Sequence, residues 1–163
     1  MEIQDAVYWI KRLNLLPHPE GGYYKEVFRS NQEVVRKSGA GFKQACTSIY
    51  YLLEADDYSG FHRLASDEIW YFHQGEPLHI HAIDSEGIYT RHELSGTDNG
   101  SLSVVIPAGL WFAAEIPAKS GFTLVSCAVA PGFDFSEFEM AKKDELAEQC
   151  PSYTHLFIKL CRE

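Results

Sequence analysis

Apolar residues at Ile3, Ala6, Val7, Ile10 and Leu13 recur with the spacing of one helix face. The chain therefore opens on an amphipathic helix over residues 3–14. Leu16-Pro17-His18-Pro19-Glu20-Gly21-Gly22 ends it, because two prolines and two glycines cannot continue a helix. From there to residue 130 the pattern changes to period two, which marks half-buried strands. Strand-like runs fall near 23–28, 45–53, 59–64, 67–73, 78–84, 88–94, 102–106, 110–115 and 122–130. Turn chemistry separates them at Ser38-Gly39-Ala40-Gly41, Gln74-Gly75, Asp84-Ser85-Glu86-Gly87, 96–100 and Pro107-Ala108-Gly109. Short strands at this spacing predict a mainly β antiparallel sandwich or small barrel. After Pro131-Gly132 the pattern turns helical again over 136–149 and 153–161. With no linker, repeat or low-complexity stretch, residues 1–163 read as one domain.

Composition narrows the partners. The net charge is −9, and no Lys/Arg run exceeds Lys142-Lys143, so neither nucleic acid nor an anionic membrane surface is expected. Met1-Glu2-Ile3-Gln4-Asp5 is acidic where a signal peptide needs positive charge. The longest uncharged run, 99–114, is broken by Gly100, Pro107 and Gly109 and does not read as a bilayer span. Cys46, Cys127, Cys150 and Cys161 lie far apart, which predicts reduced thiols in a cytoplasmic protein. Cys46 and Cys127 sit inside apolar runs and read as small buried hydrophobes. The unusual share is aromatic, with ten Phe, nine Tyr and three Trp to be housed in strands, core or a ligand cavity.

The densest polar-aromatic stretch runs from Ser59 to Gly75. Alternation puts His62 and Leu64 on one face, and Glu68, Trp70 and Phe72 on one face of the next strand. A histidine, a carboxylate and large aromatics on a concave wall suit a small-molecule site. Equally, Trp70 and Phe72 fill the core while His62 and Glu68 stand at a solvated sheet edge; periodicity leaves both open. Arg63 faces away from His62; a salt bridge with Asp67 is its ordinary reading, and an anion anchor in the pocket is the alternative. His79 and His81 share a face, opposite Leu78, Ile80 and Ala82, and which face is inside is not fixed by the pattern. His73, His92 and His155 read as surface residues. Lys43, Gln44, Thr47 and Ser48 are within reach of a barrel mouth, although the pattern does not fix their direction.

Ser59–Gly75 resembles the first cupin motif, G-x5-H-x-H-x3,4-E-x6-G, and Pro107-Ala108-Gly109 resembles the core of the second. His18-Pro19-Glu20-Gly21-Gly22-Tyr23, Thr47-Ser48-Ile49-Tyr50, Phe61-His62-Arg63-Leu64, Pro107–Ala114 and Ala130–Phe135 look like a small cupin family of unknown function, related in fold to the dTDP-sugar 3,5-epimerases. The resemblance spans nearly the whole chain. It implies a double-stranded β-helix, or jelly-roll barrel, with an N-terminal helix, C-terminal helices and a pocket in the barrel mouth, usually dimeric. Metal-binding cupins use three His and one Glu. Here His62 and Glu68 match, whereas Leu64 and Phe112 stand where the other two histidines belong. Two ligands of four argue against a metal in the usual place, and no cofactor is expected. His81 matches a His that recurs in the resemblance.

Acid–base chemistry and stacking remain. His62 suits a general base. Glu68 either orients its ring or, pressed against apolar walls, carries a raised pKa and acts as acid. Similar epimerases oppose the base with a Tyr, for which Tyr23, Tyr50 and Tyr89 are all open. Thr47, Trp70, Phe72, His81, Trp111 and Phe112 complete the expected ligand wall, although alternation after Pro107 turns Phe112 inward and Trp111 outward. His18–Gly22 reads as a structural turn with a second possible role in closing the mouth. The leading reading is a metal-independent small-molecule cupin, an isomerase or epimerase on a sugar-like substrate. The alternatives are a binding or storage-type cupin without turnover, and a metal-dependent enzyme using His62, Glu68 and His81. An edge strand near 23–28 predicts a homodimer.

Overall fold

Elements form where alternation and turn chemistry agree. The computed structural model describes residues 4–39 and 41–162; Ile3 of the expected helix, the rest of Met1–Ile3, Ala40 of the expected turn and Glu163 lie outside them. Helix α1 (Ala6–Leu13) starts where Asp5 accepts a hydrogen bond from the Tyr8 N–H (2.8 Å) and stops at left-handed Asn14. In chain order the strands are β1 (Leu16–Pro17), β2 (Tyr23–Arg29), β3 (Glu33–Val35), β4 (Phe42–Gln44), β5 (Thr47–Glu54), β6 (Tyr58–Leu64) and β7 (Asp67–Gly75). They continue with β8 (Leu78–Ile83), β9 (Tyr89–Leu94), β10 (Ser103–Ile106), β11 (Trp111–Glu115), β12 (Phe122–Ala130) and β13 (Phe138–Met140), followed by helices α2 (Lys143–Gln149) and α3 (Thr154–Leu160).

Two antiparallel sheets face each other, ordered β1-β2-β5-β12-β7-β10 and β13-β6-β11-β8-β9, with β3-β4 as a separate hairpin. Their inner faces enclose a core that includes Tyr51, Leu53, Trp70, Ile80, Phe112 and Val125. Each outer face is covered by helix, so both sheets bury both sides over part of their area. Trp9, Ile10 and Leu13 of α1 pack on Leu52 and Leu124 of the first sheet. Leu146 of α2 and Phe157 and Leu160 of α3 pack on Phe61, Ile83 and Ala113 of the second. This is the mainly β jelly roll with terminal helices that the motif resemblance implies.

The expected helix over 136–149 is corrected. Phe135–Glu137 forms a 3-10 turn, Phe138–Met140 forms β13, and only Lys143–Gln149 is α-helical. The open edge of β6 decides this, because Phe138 pairs with Leu64 and Met140 with His62, which gives the segment a ladder that a helix would forgo. Among the described residues no helix is long and apolar enough to cross a membrane. Cys46, Cys127, Cys150 and Cys161 are free thiols; Cys127 is buried, while Cys46 is half-buried just before β5.

Candidate functional site

A cavity of about 320 Å³ opens between the sheets, walled by β2, β5, β6, β7 and β12 and by the segments before β2 and after β12. Its deep wall carries Glu20, His62, Glu68 and Cys127, all buried; its rim carries Glu26, Arg29, Asp134 and Phe135, all exposed.

Glu20 arrives on the turn between β1 and β2. His18 N–H donates to the Gly22 carbonyl (2.9 Å) and Gly21 N–H to the His18 carbonyl (3.0 Å), closing the turn. Gly21 and Gly22 take φ +108° and +71°, and a Cβ on Gly22 would stand 2.6 Å from the Leu52 carbonyl oxygen, so glycine is required there. Gly60 N–H and Arg162 Nε both donate to the Glu20 carbonyl, at 2.8 and 2.6 Å. The turn is thus tied to β6 and to the far end of the chain, and the Glu20 side chain is aimed inward.

There Glu20 Oε2 lies 3.1 Å from His62 Nε2. His62 Nδ1 is 2.7 Å from the Gly60 carbonyl, which can only accept, so Nδ1 carries a proton. The imidazole packs against Phe112, ring centroids 4.2 Å apart. His18 behaves differently. Its Nδ1 accepts from the Glu20 N–H (3.2 Å), and burial lowers its pKa despite the carboxylate, so it stays neutral with its proton on Nε2.

Glu68 sits 6% exposed with Oε2 unpartnered. Burial, reinforced by the charge of Glu20, pushes its pKa up to about 8, so it is a neutral acid at pH 7. The Trp70 indole and Cys127 thiol oppose the rise, although the Trp70 N–H also lacks a hydrogen-bond partner. Burial likewise raises the Cys127 thiol, which keeps it protonated. Phe133 and Phe135 meet edge to face at 4.8 Å, and Phe138 packs against both at the cavity edge. Thr47 Oγ1 accepts from the Phe133 N–H (2.8 Å), which fixes this aromatic group over the opening.

Of the residues expected from sequence, His62, Glu68 and Thr47 line the cavity. The rest do not. Trp70, Phe72 and Phe112 have the inward orientation that alternation assigns, but they belong to the packed core beneath the cavity. Trp111 is on the outer face of β11, under Arg63, whose guanidinium is 4.4 Å from its ring centre. Arg63 pairs with Glu139 (2.7 Å), not Asp67, which instead accepts from the Ala108 N–H. His81 faces away from His62, held by Tyr89 Oη (2.8 Å) and Glu115 Oε1 (3.2 Å), because Leu78, Ile80 and Ala82 take the inner side of β8. The grouping of His62, Glu68 and His81 is therefore not formed. Tyr23 and Tyr50 pack under α1 and Tyr89 beside α2 and α3, leaving Tyr24 as the tyrosine on the cavity wall.

Sequence reasoning missed Glu20 and His18 as wall residues and gave the carboxylate behind His62 to Glu68. The His18–Gly22 motif was the available signal. Phe138, assigned to a helix, lines the cavity from β13. Leu64 and Phe112, which replace two histidines of the metal-binding cupin pattern, present hydrocarbon. Among the described residues no three His, Cys, Asp or Glu side chains gather in metal-ligating geometry. The donor set present does not fit the usual cupin metal.

A family model described as Cupin superfamily (DUF985) matches residues 7–141. An uncharacterized protein of Saccharomyces cerevisiae is 31% identical over 147 residues, covering 81% of this chain and 73% of its own. A hypothetical protein from Leishmania major superposes with a TM-score of 0.91 at 35% identity, over 98% of this chain and 100% of that one. A crystal structure of a Shewanella oneidensis protein gives 0.89 at 36% identity, over 98% and 99%.

Proposed function

We propose, from the premise that this chain belongs to the cupin superfamily family DUF985, that its cavity moves a proton on a small organic molecule in an isomerase- or epimerase-type reaction. The observation that carries this reading is the convergence of Glu20–His62 and the neutral acid Glu68 on one cavity. A base and an acid with opposed protonation are what enolisation of a carbonyl compound requires. The Glu20–His62 pair, the carboxylate and the unprotonated Nε2 side of the imidazole, takes a proton from the carbon next to the carbonyl. That C–H bond breaks, its electrons form the C=C of the enol, and Glu68 delivers its proton to the carbonyl oxygen. Return of the proton to either face of the same carbon, while the enol hydroxyl gives its proton back to Glu68, completes an epimerisation; with an α-hydroxy carbonyl, return to the former carbonyl carbon, while the neighbouring hydroxyl gives its proton to Glu68, completes an isomerisation. Thr47 and the Phe133–Phe135–Phe138 group hold the ligand and limit water at the mouth.

Deuterium exchange tests it. Keto-sugars incubated with the protein in D2O gain deuterium beside the carbonyl, and Glu20→Gln and His62→Asn abolish the gain. No exchange across a broad panel defeats the reading. A second reading, ligand binding without turnover, is favoured by one observation: both ring nitrogens of His62 already have protein partners. Metal-dependent turnover would require stoichiometric metal by elemental analysis of protein purified without chelator; the donor set predicts none.

A further inference from the structure

The charged groups of the cavity wall are unevenly matched. Among the described residues, Glu20, Glu26 and Asp134 line it with carboxyl groups, against a single guanidinium, Arg29. Arg29 is already committed, since Nε and NH2 donate to the two oxygens of Glu26 at 2.9 and 2.8 Å, and it also reaches the Phe133 carbonyl and Gln44. Lys43, which does not line the cavity but pairs with Asp134 of its rim, is also spent, on Asp134 and Glu137 at 3.3 and 3.2 Å. His18 is held neutral by burial. Among the described residues, no lysine or arginine side chain lines the deep end of the wall. Phosphate and carboxylate sites are built from unspent guanidinium, ammonium or helix N-terminal N–H groups, and this cavity offers none of them at depth.

One donor is spare. Glu68 is nine-tenths buried, its Oε2 has no partner, and it lines the cavity among Leu64, Val129 and Cys127. A buried polar atom left unpaired is destabilising, and a ligand oxygen placed there recovers that loss. Ile49, Phe133 and Phe138 add apolar surface, and about 320 Å³ is at the small end of the roughly 300–1,000 Å³ range for ligand pockets.

We propose that the cavity takes a small uncharged compound that presents a carbonyl or hydroxyl oxygen to Glu68 and an apolar face to the phenylalanines, and that it rejects phosphates and carboxylates. This inference rests on the reading of the cavity as an acid–base site and names its substrate class. Sugar nucleotides and sugar phosphates are thereby excluded, and neutral ketoses, ketones and their alcohols are retained.

A charge series of monophenyl probes tests it: acetophenone, benzoate, phenyl phosphate and benzylammonium, titrated at pH 7 by calorimetry, with NMR shifts locating the site. Acetophenone binds at least tenfold tighter than benzoate or phenyl phosphate, with shifts at Cys127, Val129 and Phe138. Glu68→Gln, which keeps an N–H donor, retains the ketone, and Glu68→Leu weakens it about tenfold. Should either variant fail to fold, the wild-type series alone decides. Benzoate or phenyl phosphate matching the ketone, benzylammonium binding tightest, or no ketone binding overturns the inference. Ketone binding supports it whether or not deuterium exchanges, so exchange separately decides the acid–base reading.

Discussion

Arg162 Nε donates to the carbonyl oxygen of Glu20 at 2.6 Å, across 142 residues of sequence. The same guanidinium pairs with Asp57 and reaches the Tyr58 carbonyl, while Asp57 Oδ2 accepts from the Gly22 N–H. The penultimate side chain therefore clamps the turn that carries His18 and Glu20. Arg162→Ala costs about 2 kcal/mol of stability, as expected for charge-assisted hydrogen bonds lost from a half-exposed site, and weakens acetophenone binding severalfold. Urea unfolding and calorimetry check the two effects, and Arg162→Lys restores them only in part because it lacks the planar fork.

Glu68 makes stability fall with rising pH. Its folded pKa is about 8 against 4.5 in the unfolded chain, so between those values the native state binds the extra proton and the slope is negative. Glu68→Gln removes that cost, raising stability at pH 7 by up to roughly 3 kcal/mol and flattening the profile from pH 5 to 8. Thermal unfolding across that range reads it out; a variant less stable than wild type at pH 8 contradicts it.

Glu115 has the opposite sign. It is buried beneath His81, Lys119 (2.6 Å) and Lys159 of α3 (2.7 Å), and those partners hold its carboxyl well below the usual range against its own desolvation. Its contribution is present above about pH 4.5 and is lost as pH falls further. Glu115→Gln costs about 2 kcal/mol and speeds hydrogen exchange in α3 more than in β5.

Gly22→Ala places a methyl against the Leu52 carbonyl at positive φ. The expected cost is about 1–3 kcal/mol, accompanied by weaker ketone binding, since the Glu20 turn must shift. Gly109→Ala, also at positive φ but with open space around it, serves as the control.

Strand β2 pairs with β1 only through Tyr23 and Tyr24, and beyond them Val27 and Phe28 are each 52% exposed. Light scattering is expected to give a dimer mass, and Phe28→Glu a monomer; a wild-type monomer defeats the expectation.

Period-two alternation was sufficient to place His62 with Leu64, and Glu68 with Trp70, on a shared side of their strands, because side-chain direction in a strand is a local property. The same rule set Phe112 inward and Trp111 outward. Alternation carries no depth, however. It could not distinguish Glu68, which reaches an opening, from Trp70 two residues on, which is sealed by Tyr51 and Phe112. Nor could it pair Glu20 with His62, because a turn has no period and that contact depends on Gly60 and Arg162 gripping one carbonyl from two other parts of the chain. Residues 138–140 became strand for the same kind of reason: the free edge of β6 was there to be filled. The sequence by itself thus determined nine of the strands between residues 23 and 130, which of their residues share a face, and the replacement of two cupin histidines by Leu64 and Phe112. Only the tertiary structure decided which inward groups meet a cavity, since burial, charge pairing and an unpartnered Glu68 oxygen are properties of elements brought together from across the chain.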